Sequence, residues 1–595
     1  MLLAVADVRG VHAAAMRFEH AVSRLGPPGR RVSAASAVLG NWGLGGFQND
    51  DDHLGANDPI VIDGSIIDRQ PPGTESILER AVRARGDFAL LAADADGVVL
   101  ACGGAGGYRP LYLHAFDGGL VASTSLDLLT RIIPEAPAID PDGLAGFAAA
   151  TSPLVRDAAS LVTLFRGVVR VPMYEAWHVS PSGRTLRRAT FVPLRDGGSV
   201  GGREPVDALR DALTAAVARA LRGHERAGLL VSGGVDSSAL LAVGHDVLRR
   251  EARRRALDAF AWSYETYYGD DRPYLQSLTA HVGIDPVRVT ASDAGRFVGK
   301  TFIQDRMPLC GPGSNFLAAT AERARALGVT VLLSGSGGDE VVDGDPGLLS
   351  QLVRAGHPVR ALAAALRLRG PCMGGPSWRF RRYIVRPLLR EMVPRPVRRW
   401  RLRDHLRRRY PWAGTRLRRY FADLASSASQ PEPQLEWTAA ERFEHLARLP
   451  GIRKFCVNRS QEESLMGCVR REPYFDEDFL RVVAALPPLA LMQGNFRRGL
   501  LRNAMRGLVP ENVRTRETKS MMEPALAAAV AAAGGFQVLH SLSNVNALAD
   551  WGIVEPRPFR EAFEELARAP DRGAWILIWP VLAAEAFMRH EQGRP

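Results

Sequence analysis

The residues with the clearest chemical potential stand in the stretch Ser232-Gly233-Gly234-Val235-Asp236-Ser237-Ser238. It follows the apolar run Ala227–Val231 and leads into another apolar run, so the pattern predicts a buried strand, a tight turn and a helix start. Glycines let the backbone approach a phosphate closely, and a helix start offers unpaired N–H groups and a positive dipole end. With the hydroxyls of Ser232, Ser237 and Ser238 as further donors, this stretch, called here the first turn, is predicted to bind phosphate.

The carboxylate of Asp236 needs a separate explanation, because it would repel a triphosphate unless a divalent cation lay between them. Mg²⁺ is therefore implied. The stretch also lacks the Gly-Lys-Ser/Thr ending of a Walker loop, which excludes the phosphate site that depends on that lysine.

A second glycine-rich acidic stretch, called here the second turn, is Ser334-Gly335-Ser336-Gly337-Gly338-Asp339-Glu340. It follows the apolar run Val329–Leu333, which predicts another buried strand. Because parallel strands bring their carboxyl ends to one edge of a sheet, both turns are expected at that edge. Asp236 and Asp339 are then the predicted metal ligands.

The elements around the two turns predict two domains and a linker. Residues 1–195 alternate short apolar runs with Gly, Asp and Pro, which indicates an antiparallel β-rich domain. Glycine pairs within 187–205 indicate a linker, which we place at 196–204. Residues 205–595 alternate strands with helices, which predicts an α/β domain with a parallel sheet. The expected strands are 227–231, 256–263, 286–289 and 329–333, and the expected helices are about 205–222, 236 onward, 271–282 and 315–327.

Composition limits the class of protein. At 595 residues and 46% hydrophobic, the chain is too long for one core. It shows no apolar run of about 18 residues and no signal-sequence pattern, so we expect a cytoplasmic protein without a membrane span. The five cysteines are sparse and unpatterned, which suggests neither a disulfide framework nor a zinc site.

The net charge of +12 is concentrated in one segment. Residues 351–420 contain twenty arginines, no lysine and two acids, whereas the rest of the chain is net negative. Aromatic residues such as Trp378 and Trp400 are interleaved, and a helical insertion is expected over 351–440. The segment suits a solvated helical face or contact with a peptide or protein partner, and nucleic acid is not expected.

The first turn resembles the Ser-Gly-Gly-x-Asp-Ser loop of the ATP pyrophosphatase superfamily, whose members cleave ATP between the α and β phosphates and form adenylates. Residues 60–68, 85–90 and 108–112 are similar to the N-terminal glutaminase domain of class B asparagine synthetases. Residues 500–519 match that family's Leu-Arg-x-Ala…Leu-Pro…Val…Arg…Lys element. The resemblance implies a ligase that uses ATP and Mg²⁺, releases AMP and pyrophosphate, and joins a carboxylate to an amine.

The resemblance also implies roles for particular residues. Trp262 and Ser263, which end the second predicted strand, would face adenine. Lys519 is one of three lysines against 73 arginines. Its compact ammonium suits the oxyanion that forms when an amine attacks an acyl-adenylate. Besides the residues of the first turn, the implied nucleotide contacts are Val231, Trp262, Ser263, Ser334, Gly335 and Gly337.

Three departures argue against glutamine as the nitrogen donor. Leu2 stands where the family has its nucleophilic cysteine, which uses its own N-terminal amine as a base. Asp63 replaces the asparagine of an oxyanion-hole Asn-Gly pair, and Arg85 replaces a substrate-binding aspartate. The first domain is therefore expected to be a degenerate glutaminase-like scaffold. It would have the fold of the N-terminal-nucleophile glutaminases without their nucleophile.

A further departure concerns the acceptor chemistry. At the position of Ser336, asparagine synthetases have Glu and β-lactam synthetases have a Tyr that assists deprotonation. Lasso-peptide macrocyclases form a third branch, with a degenerate glutaminase domain and a similar length, and they join a side-chain carboxylate of a precursor peptide to that peptide's own N-terminal amine. This branch is favoured, with Lys519 and Ser336 as catalytic candidates and a precursor-processing protease as a possible partner.

Other functions stay open from the sequence. A small carboxylate substrate would fit an asparagine-synthetase-like enzyme that amidates aspartate with glutamine or ammonia, or a β-lactam-synthetase-like cyclase. A different class is a non-catalytic peptide-binding scaffold, which the already degenerate first domain motivates and the intact acidic turns disfavour.

Overall fold

A computed structural model of the chain describes the residues 2–7, 33–39, 42–48, 60–66, 76–93, 97–103, 109–117, 119–133, 135–149, 163–180, 182–191, 200–250, 255–263, 271–309, 311–370, 374–427, 434–447, 461–463, 465–519, 521–571 and 573–593. Up to residue 66 only the backbone is described. Two compact units divide the chain. The first unit comprises Met1–Asp196, Ile303–Pro308 and Pro450–Gln461, and the second comprises Gly197–Phe302, Leu309–Leu449 and Glu462–Pro595.

The described strands are β1 Leu2–Asp7, β2 Ser33–Leu39, β3 Trp42–Gln48, β4 Ile60–Ile66, β5 Gly86–Ala93, β6 Val98–Gly103, β7 Tyr112–Phe116, β8 Gly119–Ser123, β9 Val168–Arg170, β10 Glu175–Val179, β11 Thr185–Thr190, β12 Arg226–Val231, β13 Ala256–Ser263, β14 Val287–Thr290, β15 Ile303–Gln304, β16 Met307–Pro308, β17 Val331–Ser334 and β18 Val469–Arg471.

The described α-helices are α1 Ile77–Arg83, α2 Leu126–Ile132, α3 Pro141–Ala148, α4 Pro205–Leu221, α5 Val235–Arg250, α6 Arg272–Val282, α7 Ala291–Gly295, α8 Ser314–Ala326, α9 Gly338–Val341, α10 Leu348–Arg354, α11 Pro358–Arg367, α12 Pro376–Phe380, α13 Arg386–Met392, α14 Arg395–Arg409, α15 Thr415–Ser427, α16 Ala439–Ala447, α17 Glu477–Ala485, α18 Gly499–Ala504, α19 Glu511–Arg514, α20 Glu523–Ala532, α21 Gln537–His540, α22 Asn546–Asp550, α23 Pro556–Arg568 and α24 Trp575–Glu591. Shorter turns of 3₁₀-helix lie at Pro473–Phe475, Ala490–Asn495 and Leu542–Asn544, and a π-helical turn lies at Arg381–Val385.

The first unit contains two antiparallel sheets, with strand orders β2-β3-β1-β8-β7-β9 and β11-β10-β6-β5-β4. Apolar side chains from both sheets share one core, to which β5, β6 and β10 contribute Leu91, Leu100 and Trp177, and β7 and β8 contribute Leu113 and Leu120. Every residue of β6 and β8 is buried, which agrees with the short apolar runs from which an antiparallel β-rich domain was predicted. The last strand of this unit, β11, pairs with β10 and ends at Thr190, before the linker placed at 196–204.

The second unit is built on a five-stranded sheet of order β14-β13-β12-β17-β18, in which every neighbouring pair is parallel. The predicted α/β fold with a parallel sheet is thereby confirmed. The central strand β12 contains Gly228, where a Cβ atom would lie 2.7 Å from the Phe260 ring and 2.8 Å from Leu332. Glycine there lets large side chains of both neighbouring strands cross the sheet centre. The sequence did not predict the fifth strand, β18.

The described part of the arginine-rich segment is mostly helical, with helices α10 to α15 joined by short turns. A small core holds part of it together, formed by Leu349, Leu352, Ala361, Ala365 and Ile384. Other apolar side chains project outward, with Met392 79% and Trp400 64% exposed. In the described part of the chain, no helix is both long enough and apolar enough to cross a bilayer.

Candidate active site at the sheet edge

The first turn connects β12, which ends at Val231, to α5. Ser237 and Ser238 shape this connection from inside. The backbone N–H of Ser232 donates to Ser237 Oγ (3.0 Å), and Ser238 Oγ donates to the Gly234 carbonyl (2.8 Å). Ser238 is fully buried. Its hydroxyl therefore stabilises the loop in this structure, whereas the sequence pattern suggested a donor to phosphate.

The first and second turns touch each other, and glycine is what allows it. A Cβ atom on Gly335 would lie 2.9 Å from the Ser237 nitrogen, and one on Gly338 would lie 2.5 Å from the Asp236 carboxyl carbon. Gly337 has a φ of +97°, in the left-handed region that favours glycine. The two predicted turns thus form one continuous surface at the carboxyl ends of β12 and β17.

Arg498 lies between the two predicted metal ligands. Its Nη1 atom is 2.7 Å from Asp236 Oδ2, and its Nη2 atom contacts Asp339 Oδ1. Its Nε atom is 3.7 Å from Asp343 Oδ1. Asp236, Asp339 and Asp343 therefore surround one guanidinium. The two turns meet at one edge of the sheet as predicted, but the cation between them in this structure is a side chain of the protein, where the sequence predicted Mg²⁺.

The same residues fit a divalent cation. The Oδ1 atom of Asp236 is buried and has no hydrogen-bond partner, so a carboxylate oxygen is available. Among the described residues, no group of three or more His, Cys, Asp or Glu side chains could hold a metal by itself. Mg²⁺ typically uses one or two carboxylates and completes its octahedral shell with water and substrate phosphates. Asp236 and Asp339 would hold such an ion, which would neutralise and orient the phosphates.

Two further cations lie beside the turns, Lys519 at the second turn and Arg516 at the first. Lys519 Nζ lies 2.6 Å from Asp339 Oδ2. The Arg516 guanidinium contacts Asp271 and lies 4.1 Å from the centre of the Tyr274 ring. A Cβ atom on Gly233 would lie 2.6 Å from Arg516 Nη1, so this arginine lies directly against the turn. The arrangement offers positive charge to an anion bound at the first turn.

Arg502 adds to this group from a more buried position. Burial, and then the charge of Arg498, lowers the pKa of Arg502 to about 10. It therefore remains cationic at neutral pH. Its Nε donates to the Arg497 carbonyl (3.1 Å), so it also holds the backbone that carries Arg498.

Ser336 lies in a short chain of polar groups. Its Oγ is 3.0 Å from Ser334 Oγ, which is 3.2 Å from Glu472 Oε1. Glu472 is buried and pairs with Arg470 Nη2 at 2.9 Å. Ser334 Oγ, which donates to Ser336 Oγ, thus connects Ser336 to a buried carboxylate, and a proton could pass from Ser336 toward Glu472 once the Ser336 hydroxyl turns to donate to Ser334.

The stretch around Tyr474 packs beneath the backbone of the first turn and binds it through one hydrogen bond. Tyr474 Oη donates to the Asp236 carbonyl at 3.0 Å, and burial, followed by the nearby charge of Asp236, raises the pKa of this phenol well above its usual range. Asp476 accepts from the Phe479 N–H (3.1 Å) at the start of α17 and pairs with Arg219. Tyr474 thus holds the backbone of the first turn, and Asp476 fixes the start of the helix that follows.

Trp262 and Ser263 end β13 and line a cleft of about 680 Å³ together with residues of α6. Trp262 packs against the Phe316 ring, with 5.1 Å between ring centres, and its Nε1 donates to Thr320 Oγ1 at 3.1 Å. A flat, rigid indole at the edge of a cleft suits a planar base. The cleft also includes Asp271, the partner of Arg516.

Sequence reasoning missed Arg498 and the carboxylate Glu472 as site residues. Because the chain contains 73 arginines, its composition cannot distinguish Arg498 from the others. Leu2 and Asp63 lie in β1 and β4 of the first unit, where only the backbone is described, and Arg85 directly precedes β5.

A family model described as asparagine synthase matches residues 208–589, more than half of the chain. No curated protein matches the chain significantly.

Proposed function

Since the chain belongs to the asparagine synthase family, it is an ATP-dependent ligase, and we propose that it activates a carboxylate as an acyl-adenylate and transfers it to an amine, releasing AMP and pyrophosphate. The observation that supports this most is the meeting of Asp236 and Asp339 at one sheet edge, with Arg516 and Lys519 beside them. Bound Mg²⁺ would neutralise the phosphates. The backbone of the first turn would hold the triphosphate, and Trp262 would contact the base.

The adenylation step can be tested with labelled pyrophosphate. Carboxylate-dependent exchange of label into ATP is expected, because the reaction is reversible as long as the adenylate stays bound. Formation of ADP and phosphate in place of AMP and pyrophosphate would contradict the proposed site of cleavage.

The amide-forming step is assigned to Lys519 and Ser336. The Lys519 ammonium would stabilise the oxyanion that forms when the amine attacks. Ser336 would accept the proton from that amine and pass it through Ser334 toward Glu472, which lies 3.2 Å from Ser334 Oγ. Ser336→Ala should lower amide formation and leave pyrophosphate exchange unchanged, whereas equal loss of both would remove this role.

Glutamine is not the proposed nitrogen donor. Asp63 and Arg85 differ from the residues that glutaminase domains use, and Leu2 stands at the position of their cysteine. No glutamate should be released above background when the protein meets glutamine. Release of glutamate would restore the glutamine-dependent asparagine synthetase alternative.

The substrate is proposed to be a ribosomal peptide, closed by an isopeptide bond between an acidic side chain and its N-terminal amine, as in lasso-peptide macrocyclases. The exposed, arginine-rich helices α12 to α14, with Met392 and Trp400 projecting, offer the cationic and apolar surface that suits an acidic peptide. A precursor-processing protease would then act before the ligase. The test is incubation with ATP, a precursor peptide from a neighbouring gene and its protease, followed by mass spectrometry for the loss of one water.

Two small-substrate alternatives predict different products. If the peptide stays unchanged while aspartate and ammonia yield asparagine, the enzyme is an asparagine synthetase; a lactam from a small amino acid would indicate a β-lactam-type cyclase. Calorimetry with Mg-ATP addresses the non-catalytic scaffold, because a scaffold without an active site should show no binding.

A further inference from the structure

Arg498 is a cation enclosed by carboxylates where the two turns meet. It contacts Asp236 and Asp339, approaches Asp343, and is only 6% exposed. The side chain of arginine ends in a planar, delocalised cation whose N–H groups suit the oxygens of two carboxylates at once. The place between the two carboxylates is therefore already occupied by charge when no metal is bound.

We propose that Arg498 is a resident counter-cation that competes with the divalent cation for Asp236 and Asp339, so that metal binds strongly only together with the nucleotide. This inference rests on the Mg-ATP site of the proposed function. It adds a mechanism by which the protein couples the binding of metal to the binding of nucleotide.

The electrostatic argument begins with the metal alone. Arg498 already binds Asp236 Oδ2 and Asp339 Oδ1, so a divalent ion that takes these two oxygens must displace the guanidinium. The guanidinium would then be buried beside a second positive charge and without its partners. That cost weakens binding of the metal. A bound triphosphate changes the balance, because its oxygens accept hydrogen bonds from a displaced guanidinium.

The backbone that carries Arg498 is held in place, so the release of its side chain does not require a loop to move. Arg498 has a φ of +57°, and its N–H donates to the Asp343 carbonyl at 3.2 Å. A Cβ atom on Gly499 would lie 1.8 Å from the Gln493 carbonyl oxygen, which shows how closely the next residue is packed. The exchange of partners is therefore assigned to the side-chain torsions of Arg498.

The test measures metal binding directly. Mn²⁺, as a paramagnetic substitute for Mg²⁺, is titrated into wild-type protein and Arg498→Gln with electron paramagnetic resonance, with and without a non-hydrolysable ATP analogue. Wild-type protein should bind Mn²⁺ at least tenfold more tightly with the analogue. Arg498→Gln should bind Mn²⁺ alone at least tenfold more tightly than wild type, and should lose most of the gain from the analogue.

Arg497→Gln is the matched control, since it removes the same charge one residue away, where the guanidinium contacts Asp343 and not the two turns. It should keep the wild-type pattern. If Arg498→Gln does not fold, Arg498→Lys provides the test: a single ammonium cannot bridge both carboxylates as the fork does, so metal-only affinity should rise by a smaller factor.

Unchanged or weaker Mn²⁺ binding by a folded Arg498 variant would overturn the inference and make Arg498 a structural clamp. Absence of Mn²⁺ binding to wild-type protein even with the analogue would instead contradict the proposed Mg-ATP site. Because the two failures appear in different proteins and titrations, they can be told apart.

Discussion

Lys519 Nζ lies 2.6 Å from Asp339 Oδ2, so the proposed catalytic ammonium is held by one of the proposed metal ligands. The Lys519 side chain is half exposed, so its ammonium can be reached from solvent. The contact links the metal side of the site to the side where the amide would form.

Lys519→Arg should therefore separate the two steps. The planar guanidinium keeps the charge but not the geometry, so amide formation should fall by about 100-fold, the size of effect seen when one oxyanion donor is lost. Pyrophosphate exchange should change little. The matched control is Lys300→Arg on the exposed surface, which should leave both activities unchanged. Unaltered turnover of Lys519→Arg would exclude a catalytic role.

Asp236→Asn and Asp339→Asn should each abolish pyrophosphate exchange, because a neutral amide is a poor ligand for Mg²⁺. Asp236→Asn should also destabilise the metal-free fold by about 1–3 kcal/mol, since Arg498 loses a buried partner. Urea unfolding in EDTA measures this change. Asp246→Asn, which breaks surface pairs with Arg249 and Arg250, is the control and should cost well below about 1 kcal/mol.

Gly338→Ala should displace Asp236, because the added methyl would lie 2.5 Å from its carboxyl carbon. We expect at least a tenfold loss of pyrophosphate exchange and about 1–3 kcal/mol of destabilisation, as for other overpacked sites. Gly375→Ala adds the same methyl where no atom lies within 4 Å, and should be neutral. Full activity of Gly338→Ala would show that Asp236 does not need its present position.

Tyr474→Phe removes the hydrogen bond to the Asp236 carbonyl and should cost about 1–2 kcal/mol. The pH dependence follows from the raised pKa of Tyr474. Below about pH 10, the usual phenol pKa, its contribution to stability is fully present; it is lost as pH rises further, because only the unfolded chain ionises readily. Chemical unfolding between pH 8 and pH 11 should show a smaller alkaline decline in Tyr474→Phe. Equal declines would assign the loss to other groups.

Local sequence patterns were sufficient to predict many of the strands and helices of the second unit. Each of the predicted strands 256–263 and 286–289 lies within one residue of an observed strand, β13 or β14, because apolar runs and helix starts are set by near neighbours along the chain. The three-residue strand β18 was missed, since Val469-Arg470-Arg471 has the polarity of a surface segment and is a strand only through pairing with β17.

The features of the site also fall into two groups, those that the sequence predicts and those that only the structure shows. Glycine content and spacing identified both turns, and the rarity of lysine identified Lys519, because these are properties of composition and order. The inward hydrogen bond of Ser238, the link from Ser336 to Glu472 and the position of Arg498 between Asp236 and Asp339 join residues that are far apart in the chain or face a direction that spacing does not specify. Only tertiary packing decides them, since burial selects which of many equivalent arginines must neutralise which carboxylates.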